Sequence, residues 1–376
     1  MRVSMVVAER SGDQLAALLL QGLQRRWPGL QADGIGGPQM QALGFASRWS
    51  CDELSVRGLV EALWRYRRIT AIRQQLIDQL VATPPDLFVG VDASDFNLTV
   101  ERELGRRGIP AVQLVCPSIW AWRPERVNKI RESVRHILCI YPFEPALLAE
   151  HGIEGTFVGH PVADVIPLTP DRAGARQTLG LDAERPVVAL LPGSRSAEIR
   201  ALALPFVQAA QRMRAQRPAL QFVLPTHEGL RPAIEQALHA TGMQGHVQLV
   251  MGQSHAVQAA CDVALVASGT ATLETALHKR PMVIAYKMQW LSWRIANGKR
   301  LLPWVGLPNI LCNEGLVPEF LQEQVQPQAL ADATLAWLDD PAAVSRLQQR
   351  FAALHHELRQ DMPTRSCHAI EKILGA

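Results

Sequence analysis

The sequence predicts an α/β protein made of two doubly wound halves in tandem. Short β-branched apolar runs alternate with amphipathic stretches of helical period, the rhythm of a parallel sheet covered by helices. That rhythm stops at a proline-punctuated stretch, HPVADVIPLTPD, and then starts again. A chain of 376 residues also exceeds what one core ordinarily organises, because domains hold on the order of 100–200 residues.

In the first half, RVSMVVA opens the chain, DLFVGVD ends at Asp92, AVQLVC ends at Cys116 and HILCIYP ends at Pro142. Each is short and almost wholly apolar, as a strand buried on both faces must be. Gln14 to Trp27 and Thr99 to Gly108 carry the helical period and supply crossovers. The boundary is expected between residues 161 and 185, after which PVVALLPG, LQFVLP, HVQLVMG, DVALVASG and PMVIAYK repeat the pattern. This divides the chain into residues 1–165, 166–345 and a terminal segment, 346–376. From Asp339 to Leu374 the sequence reads as one helix closing the fold, with Leu347, Phe351, Leu354 and Leu358 at helical spacing.

The totals narrow the function. With 48% hydrophobic, 19% charged and 6% aromatic residues the chain is globular. A net charge of +3 gives no global field for nucleic acid. Cys51, Cys116, Cys139, Cys261, Cys312 and Cys367 form no CxxC pair, so neither zinc nor a disulfide framework is expected and a reducing cytosol fits. MRVSMVVAERSGD lacks a signal-peptide core, and no run of about 18 apolar residues occurs. The expectation is a protein that is not exported and meets a bilayer, if at all, from outside.

Ligands of open α/β sheets bind beyond the carboxyl ends of the strands, so the loops there are where chemistry is expected. They read AERSGD (8–13), GIGGP (34–38), VDASDFN (91–97), CPSIWAWR (116–123), VGHP (158–161), LPGSRSAEI (191–199) and ASGTATLE (267–274). LPGSRSAEI joins an apolar strand to a helix. Gly193 and Ser194 can therefore present backbone N–H groups and the helix dipole to an anion, with Arg195 adding a full charge. A glycine turn with a solvated Arg is the plain alternative. Ser268, Gly269 and Thr270 open a second helix in the same half, and two such mouths can share one diphosphate. Glu274, one turn in, can accept from ribose hydroxyls or simply favour the dipole.

Neither loop is GxxxxGK[ST], and GxGxxG is missing after the first strand, so ATP hydrolysis and NAD binding are not indicated. A sugar nucleotide remains. Asp92 and Asp95 stand three apart without further ligands, so no cofactor or metal is expected, and N–H groups and an Arg must hold the leaving diphosphate. Asp92 ends a strand of the first half and, in a cleft between the halves, would act as general base on an attacking sugar hydroxyl. Capping of the next helix is the alternative for Asp92 and more so for Asp95. His160 is a second candidate base, or a hydrogen-bonded hinge residue.

RGLVEALWRYRRITAIRQQLI places Leu59, Val60, Leu63, Ile69, Ile72, Leu76 and Ile77 at helical spacing, with Trp64 and Tyr66 beside Arg57, Arg65, Arg67, Arg68 and Arg73. Such a helix can lie on an anionic leaflet, although an apolar stripe is more often core. Val60, Leu63, Trp64, Arg65, Arg67, Arg68 and Ile69 are the membrane-contact candidates. KMQWLSWRIANGKRLLPW (287–304) repeats the mixture of Trp with Lys and Arg.

In order along the chain, Ser11-Gly12-Asp13, GIGGPQM, DASDFN, PSIWAWR, Leu191 to Arg195, Ser268 to Glu274 and Leu307 to Asn309 resemble the motifs of the lipid-A-disaccharide synthases. The likeness spans nearly the whole chain. It implies a GT-B arrangement of two facing Rossmann-like domains with an interdomain cleft. It implies transfer of 2,3-diacylglucosamine from UDP-2,3-diacylglucosamine to the 6-hydroxyl of 2,3-diacylglucosamine 1-phosphate, giving a β-1,6 disaccharide 1-phosphate and UDP by inversion. Asp92 aligns with the family's base, and Arg195 and Asn309 with polar residues needed for activity. Glu9, Ser11, Asp13, Gly36, Gly37 and Trp120 fall in first-half loops on the acceptor side. Peripheral attachment to the cytoplasmic face of the inner membrane, and a homodimer, are further implications.

AERSGD stands where the family usually has GETSGD, Ser94 where proline is common, and Pro161 where a small residue often sits. These departures bear on acyl-chain preference. A UDP-N-acetylglucosamine 2-epimerase of the same fold is the alternative enzyme, but it would leave the Arg-and-Trp helix idle. A silent lipid-sugar binding protein would keep its activity after Asp92→Ala.

Overall fold

A computed structural model describes residues 1–54, 59–121, 124–289, 293–294, 298 and 300–375; the side chains of residues 10–11 and 59–64 lie outside the described set. The chain forms two compact units, Met1–Asp164 with Glu357–Ala376, and Val165–His356.

The first unit runs β1 (Arg2–Val6), α1 (Arg10–Arg26), β2 (Gln31–Gly36), α2 (Pro38–Ala42), β3 (Ala46–Ser50), α3 (Leu59–Ala82), β4 (Leu87–Val91), α4 (Ser94–Gly105), β5 (Ala111–Leu114), α5 (Val127–Ser133), β6 (His136–Cys139), α6 (Glu144–Ala149), β7 (Gly155–Phe157) and α7 (Pro161–Val165). Its parallel sheet has the order β3-β2-β1-β4-β5-β6-β7. The chain winds outward to β3 and then restarts beside β1, so the order reverses between β1 and β4. Leu87 to Val91 are buried throughout, as expected of a central strand covered on both faces. Strands β2, β3 and β7 are additions to the expected set. Two glycines and an aspartate dilute the apolar signal of β2, and β3 and β7 are edge strands only partly buried.

The second unit runs α8 (Arg172–Leu179), β8 (Val187–Leu191), α9 (Ser196–Gln216), β9 (Gln221–Thr226), α10 (Arg231–Thr241), β10 (Val247–Met251), α11 (Ser254–Ala260), β11 (Val263–Ala267), α12 (Thr270–Leu277), β12 (Met282–Tyr286) and β13 (Glu319–Leu321), with helices at Leu307–Cys312 and Pro327–Asp339. The parallel order is β10-β9-β8-β11-β12-β13, reversing between β8 and β11. Apolar clusters line both faces, one built on Phe206 and Met213 of α9, the other on Val257 of α11 and Phe351.

The expected single closing helix is two. Pro341–Leu358 ends before Met362–Leu374 begins, because Asp361 turns left-handed (φ 53), its carboxylate caps Thr364, and Pro363 starts the new helix. Asp164 fixes the break by accepting from the amides of Asp361 (3.0 Å) and Met362 (2.8 Å). Leu347 and Phe351 pack in the second unit, whereas Met362–Leu374 packs on α1 of the first, where Gly22 lies under Pro363 and Arg26 pairs with Glu371.

Candidate functional site

In the first unit AERSGD leaves β1 and DASDFN leaves β4, the two neighbours flanking the reversal of strand order. Asp92 and Ala93 follow β4 in left-handed conformations, φ 51 and 42. Each such residue other than glycine costs roughly 1–2 kcal/mol. Two buried amides hold the turn: Asn97 Nδ2 (3.0 Å) and Gln113 Nε2 (2.7 Å) both donate to the carbonyl of Asp92. The Asp92 side chain is exposed. Asp95 pairs with Arg126 at 2.6 Å.

The other first-unit motif residues split between turn-building and exposure. Asp13 is buried, and its carboxylate accepts from the amides of Gly37 (3.0 Å), Gln39 (2.9 Å) and Met40 (3.2 Å), capping α2. A Cβ on Gly37 would lie 2.5 Å from that carboxylate, and one on Gly36 would lie 2.8 Å from the Phe45 ring. Asp13, Gly36 and Gly37 thus form a packing lock rather than the acceptor contact the sequence suggests. Glu9 is exposed at the N-cap of α1; the side chain of Ser11 lies outside the described residues.

Trp120 packs edge-on against Tyr141 (5.9 Å) and Phe143 (5.3 Å) and donates through Nε1 to Glu144 at 3.1 Å. Trp122 and Arg123 of the same motif lie outside the described residues. Glu144 also accepts from the amide of Tyr141 at 3.1 Å, and burial pushes its pKa up to about 8 against those bonds. His160 stacks on Tyr141 at 5.7 Å, and burial pulls its pKa down to about 4. A neutral, buried imidazole bonded to the amide of Val162 fits the hinge reading better than the base reading. The Tyr141 hydroxyl is pushed up by burial, then by Glu144 and Asp92, which puts the candidate base in electrical reach of this aromatic wall.

On α3 the apolar stripe divides. Ile72, Leu76 and Ile77 are core, and Ile69 packs partly buried against that core. Tyr66 is 64% exposed, Arg65 and Arg67 are exposed, and Arg68 pairs with Glu53 at 3.2 Å. The side chains of Val60, Leu63 and Trp64 lie outside the described residues, as does Arg57.

In the second unit the two expected anion turns leave β8 and β11, adjacent strands at the reversal point, and so open at the same end of the sheet. The first turn already holds an anion. Glu198, at the third position of α9, accepts from the amides of Ser194 (2.9 Å) and Arg195 (3.1 Å) as a capping box does. Gly193 (φ 121) makes room, since a Cβ there would collide with Glu198. The Arg195 guanidinium is 74% exposed, 3.6 Å from the same carboxylate. On the second turn a Cβ on Gly269 would meet open space, and Thr270 is exposed. Ser268 Oγ donates to the carbonyl of Val305 at 2.8 Å, and Glu274 accepts from Gln258 at 3.0 Å.

Asn309 does not reach this surface. It is 1% exposed, donates to the carbonyl of Val317 (2.9 Å) and to Glu319 (2.8 Å), and accepts from the amide of Val317 (3.1 Å). Its amide is spent on these partners, an arrangement that suits a positioning role. Glu319 in turn accepts from the amides of Val305 (2.8 Å) and Gly306 (3.0 Å), so Asn309 braces the loop under Ser268. The sequence reading missed Glu198, Glu319, Glu144 and Gln113. The signal for Glu198 was its place three residues after the turn; that for Glu144 was YPFEP directly after a strand.

Among the described residues no three His, Cys, Asp or Glu side chains gather as metal ligands, and no helix is long and apolar enough to cross a membrane.

A family model described as lipid-A-disaccharide synthetase matches residues 3–373. A lipid-A-disaccharide synthase of Albidiferax ferrireducens is 57% identical over 379 residues, covering 100% of this chain and 97% of that protein. Among solved structures, a UDP-GlcNAc 2-epimerase of Neisseria meningitidis bound to UDP-GlcNAc aligns over 100% of both chains with TM-score 0.66 and 14% identity. A calicheamicin glycosyltransferase aligns over 100% of this chain and 98% of its own with TM-score 0.63 and 16% identity. Likeness at that identity shows a common GT-B fold and nothing of the reaction.

Proposed function

The chain belongs to the lipid-A-disaccharide synthetase family, which makes it a glycosyltransferase of lipid A biosynthesis, and from that premise we propose that UDP-2,3-diacylglucosamine is its donor and 2,3-diacylglucosamine 1-phosphate its acceptor. Asp92 takes the proton of the acceptor 6-hydroxyl. That oxygen bonds to the donor's anomeric carbon as the bond from this carbon to the diphosphate oxygen breaks, and the electron pair leaves with UDP. Attack opposite the leaving group inverts the centre to β. A positioned general base is worth roughly 10²–10⁴-fold.

One observation carries this reading: in each unit two motif loops leave the two strands at which the order reverses, where doubly wound sheets hold their ligands. The Glu198 carboxylate on the Ser194 and Arg195 amides supports it, because an anion is already accepted there. The donor diphosphate displaces that carboxylate, and Arg195 with the mouth of α12 steadies the charge as it develops, without a metal. The lipid tails keep the enzyme at the cytoplasmic face of the inner membrane, where the exposed Arg65, Tyr66 and Arg67 of α3 offer charge and an amphipathic ring. A homodimer completes the reading.

The test is to incubate the purified chain with both substrates and a chelator and to weigh the product. A disaccharide 1-phosphate with UDP is expected. UDP without disaccharide, or an epimerised UDP-sugar, would overturn the reading. Flotation with anionic and neutral vesicles, and sedimentation, check the membrane and dimer parts.

A further inference from the structure

Beneath the Asp92 turn lies a polar nest that the transfer step leaves unused. Asn97 and Glu101 stand one turn apart on α4, above Gly90 of β4, with Gln113 of β5 beside Gly90 and Ser4 of β1 on the same face. Ser4, Asn97, Glu101 and Gln113 have no exposed surface. The amide nitrogens of Asn97 and Gln113 hold the Asp92 carbonyl. Their opposite ends, Asn97 Oδ1 and Gln113 Oε1, find no donor, and neither does either oxygen of Glu101. A Cβ placed on Gly90 would fall on Glu101 Oε1 and lie 2.6 Å from Gln113 Oε1, so these oxygens crowd one small space. Carboxylate and amide oxygens can only accept. The Ser4 hydroxyl, also without a partner, has one proton to give and can serve only one of these four oxygens; the others repel unless a further proton makes one of them a donor.

We propose that Glu101 is a positioning residue for the base: as the neutral acid it donates to Gln113 Oε1 and so keeps the Gln113 amide turned with its NH₂ toward Asp92. The amide has only one donor end. An ionised Glu101 would draw that end to itself and release the Asp92 carbonyl. Burial holds the Glu101 carboxyl well above the usual carboxylate range, opposed by Lys129 of α5. Lys129 is the cation facing Glu101; burial lowers its own affinity for protons, Asp95 raises it, and Arg126, Arg102 and Arg73 of α3 lower it again. The inference rests on Asp92 being the base, and its test separates the two ideas.

Wild type, Glu101→Gln, Glu101→Met and Asp92→Asn are compared. Gln can donate to Gln113 as the neutral acid does, so Glu101→Gln keeps kcat near wild type and holds it at alkaline pH where wild type declines. Met fills the space without a donor, and kcat falls about tenfold or more with KM for the donor little changed. In the infrared difference between wild type and Glu101→Gln, a protonated-carboxyl C=O band present in wild type disappears. A missing band, or Glu101→Gln as inactive as Glu101→Met while folded, overturns the proposal. If Glu101→Met does not fold, the band and the Glu101→Gln pH profile decide alone. Turnover retained by Asp92→Asn with the band intact defeats the base assignment and leaves the protonated clamp standing.

Discussion

The carboxylate of Glu198 lies 2.9 Å from the backbone nitrogen of Ser194, on the turn proposed to receive the donor diphosphate. An internal anion and a substrate anion would then compete for one pair of amides. Glu198→Gln relieves the repulsion. UDP is expected to bind several-fold more tightly while the unfolding free energy falls by about 0.5–2 kcal/mol, the worth of a helix cap. Calorimetry with UDP and thermal unfolding read the two effects. Weaker UDP binding would place Glu198 among the donor's ligands instead.

Asp92→Asn keeps the shape of the side chain and removes the proton acceptor. Turnover should drop by roughly 10²–10⁴-fold, with UDP affinity within a few-fold of wild type because the anion turns stand on the other unit. Single-turnover kinetics with both lipid substrates distinguishes this from a binding defect.

Asn309→Ala strips Glu319 of one donor and leaves Val317 with an amide and a carbonyl unpaired. Each buried polar group left alone costs about 1–3 kcal/mol. The expected signature is lower stability together with weaker UDP binding, as the Val305 loop under Ser268 loosens. A loss of kcat in a variant of unchanged stability would favour a direct catalytic role for Asn309.

Gly37→Ala drives a methyl into the Asp13 carboxylate. Freeing even one of the three amides that Asp13 holds costs about 1–3 kcal/mol. Denaturant unfolding should show it, and a variant as stable as wild type would mean the α2 turn can shift without loss.

Buried groups set opposite pH slopes in the first unit, His160 on one side and Glu144 with Glu101 on the other. His160 resists its proton until about pH 4, below its ordinary 6.5, so stability falls as pH drops through that window. Glu144 keeps its proton up to about pH 8, above its ordinary 4.5, so stability falls as pH rises from 4.5 to 8. They oppose each other between 4.5 and 6.5. Glu144→Gln should therefore make the decline above pH 6.5 shallower and leave the share that Glu101 contributes, seen in melting temperature against pH. A decline as steep as that of wild type between pH 6.5 and 8 would show that Glu144 does not set it.

The central strands were legible because burial on both faces leaves an uninterrupted apolar run, as Leu87 to Val91 and Val263 to Ala267 do. The edge strands β3, β7 and β13 were not, since exposure frees their residues to be polar. Loop position was readable and side-chain role was not. Asp13 and Asn309 carry polar groups that suit chemistry equally well, but only the fold reveals that their hydrogen bonds are already spent. Glu198 escaped for the converse reason, because a glutamate in a first helical turn is ordinarily a solvated residue that favours the dipole. Gln113 sits inside a strand, where nothing in the sequence marks an amide as the clamp of a neighbouring turn.

Because Met362–Leu374 packs on α1 at Gly22 while the whole second unit lies between them in sequence, a ribosome finishes the second unit before it releases the last wall of the first. Until then α1 must wait with an apolar flank uncovered, in reach of a chaperone or another nascent chain. A tag or stop codon near Met362 would injure the part of the protein made earliest, and the harm would surface as aggregation during synthesis before any fault in turnover could be measured.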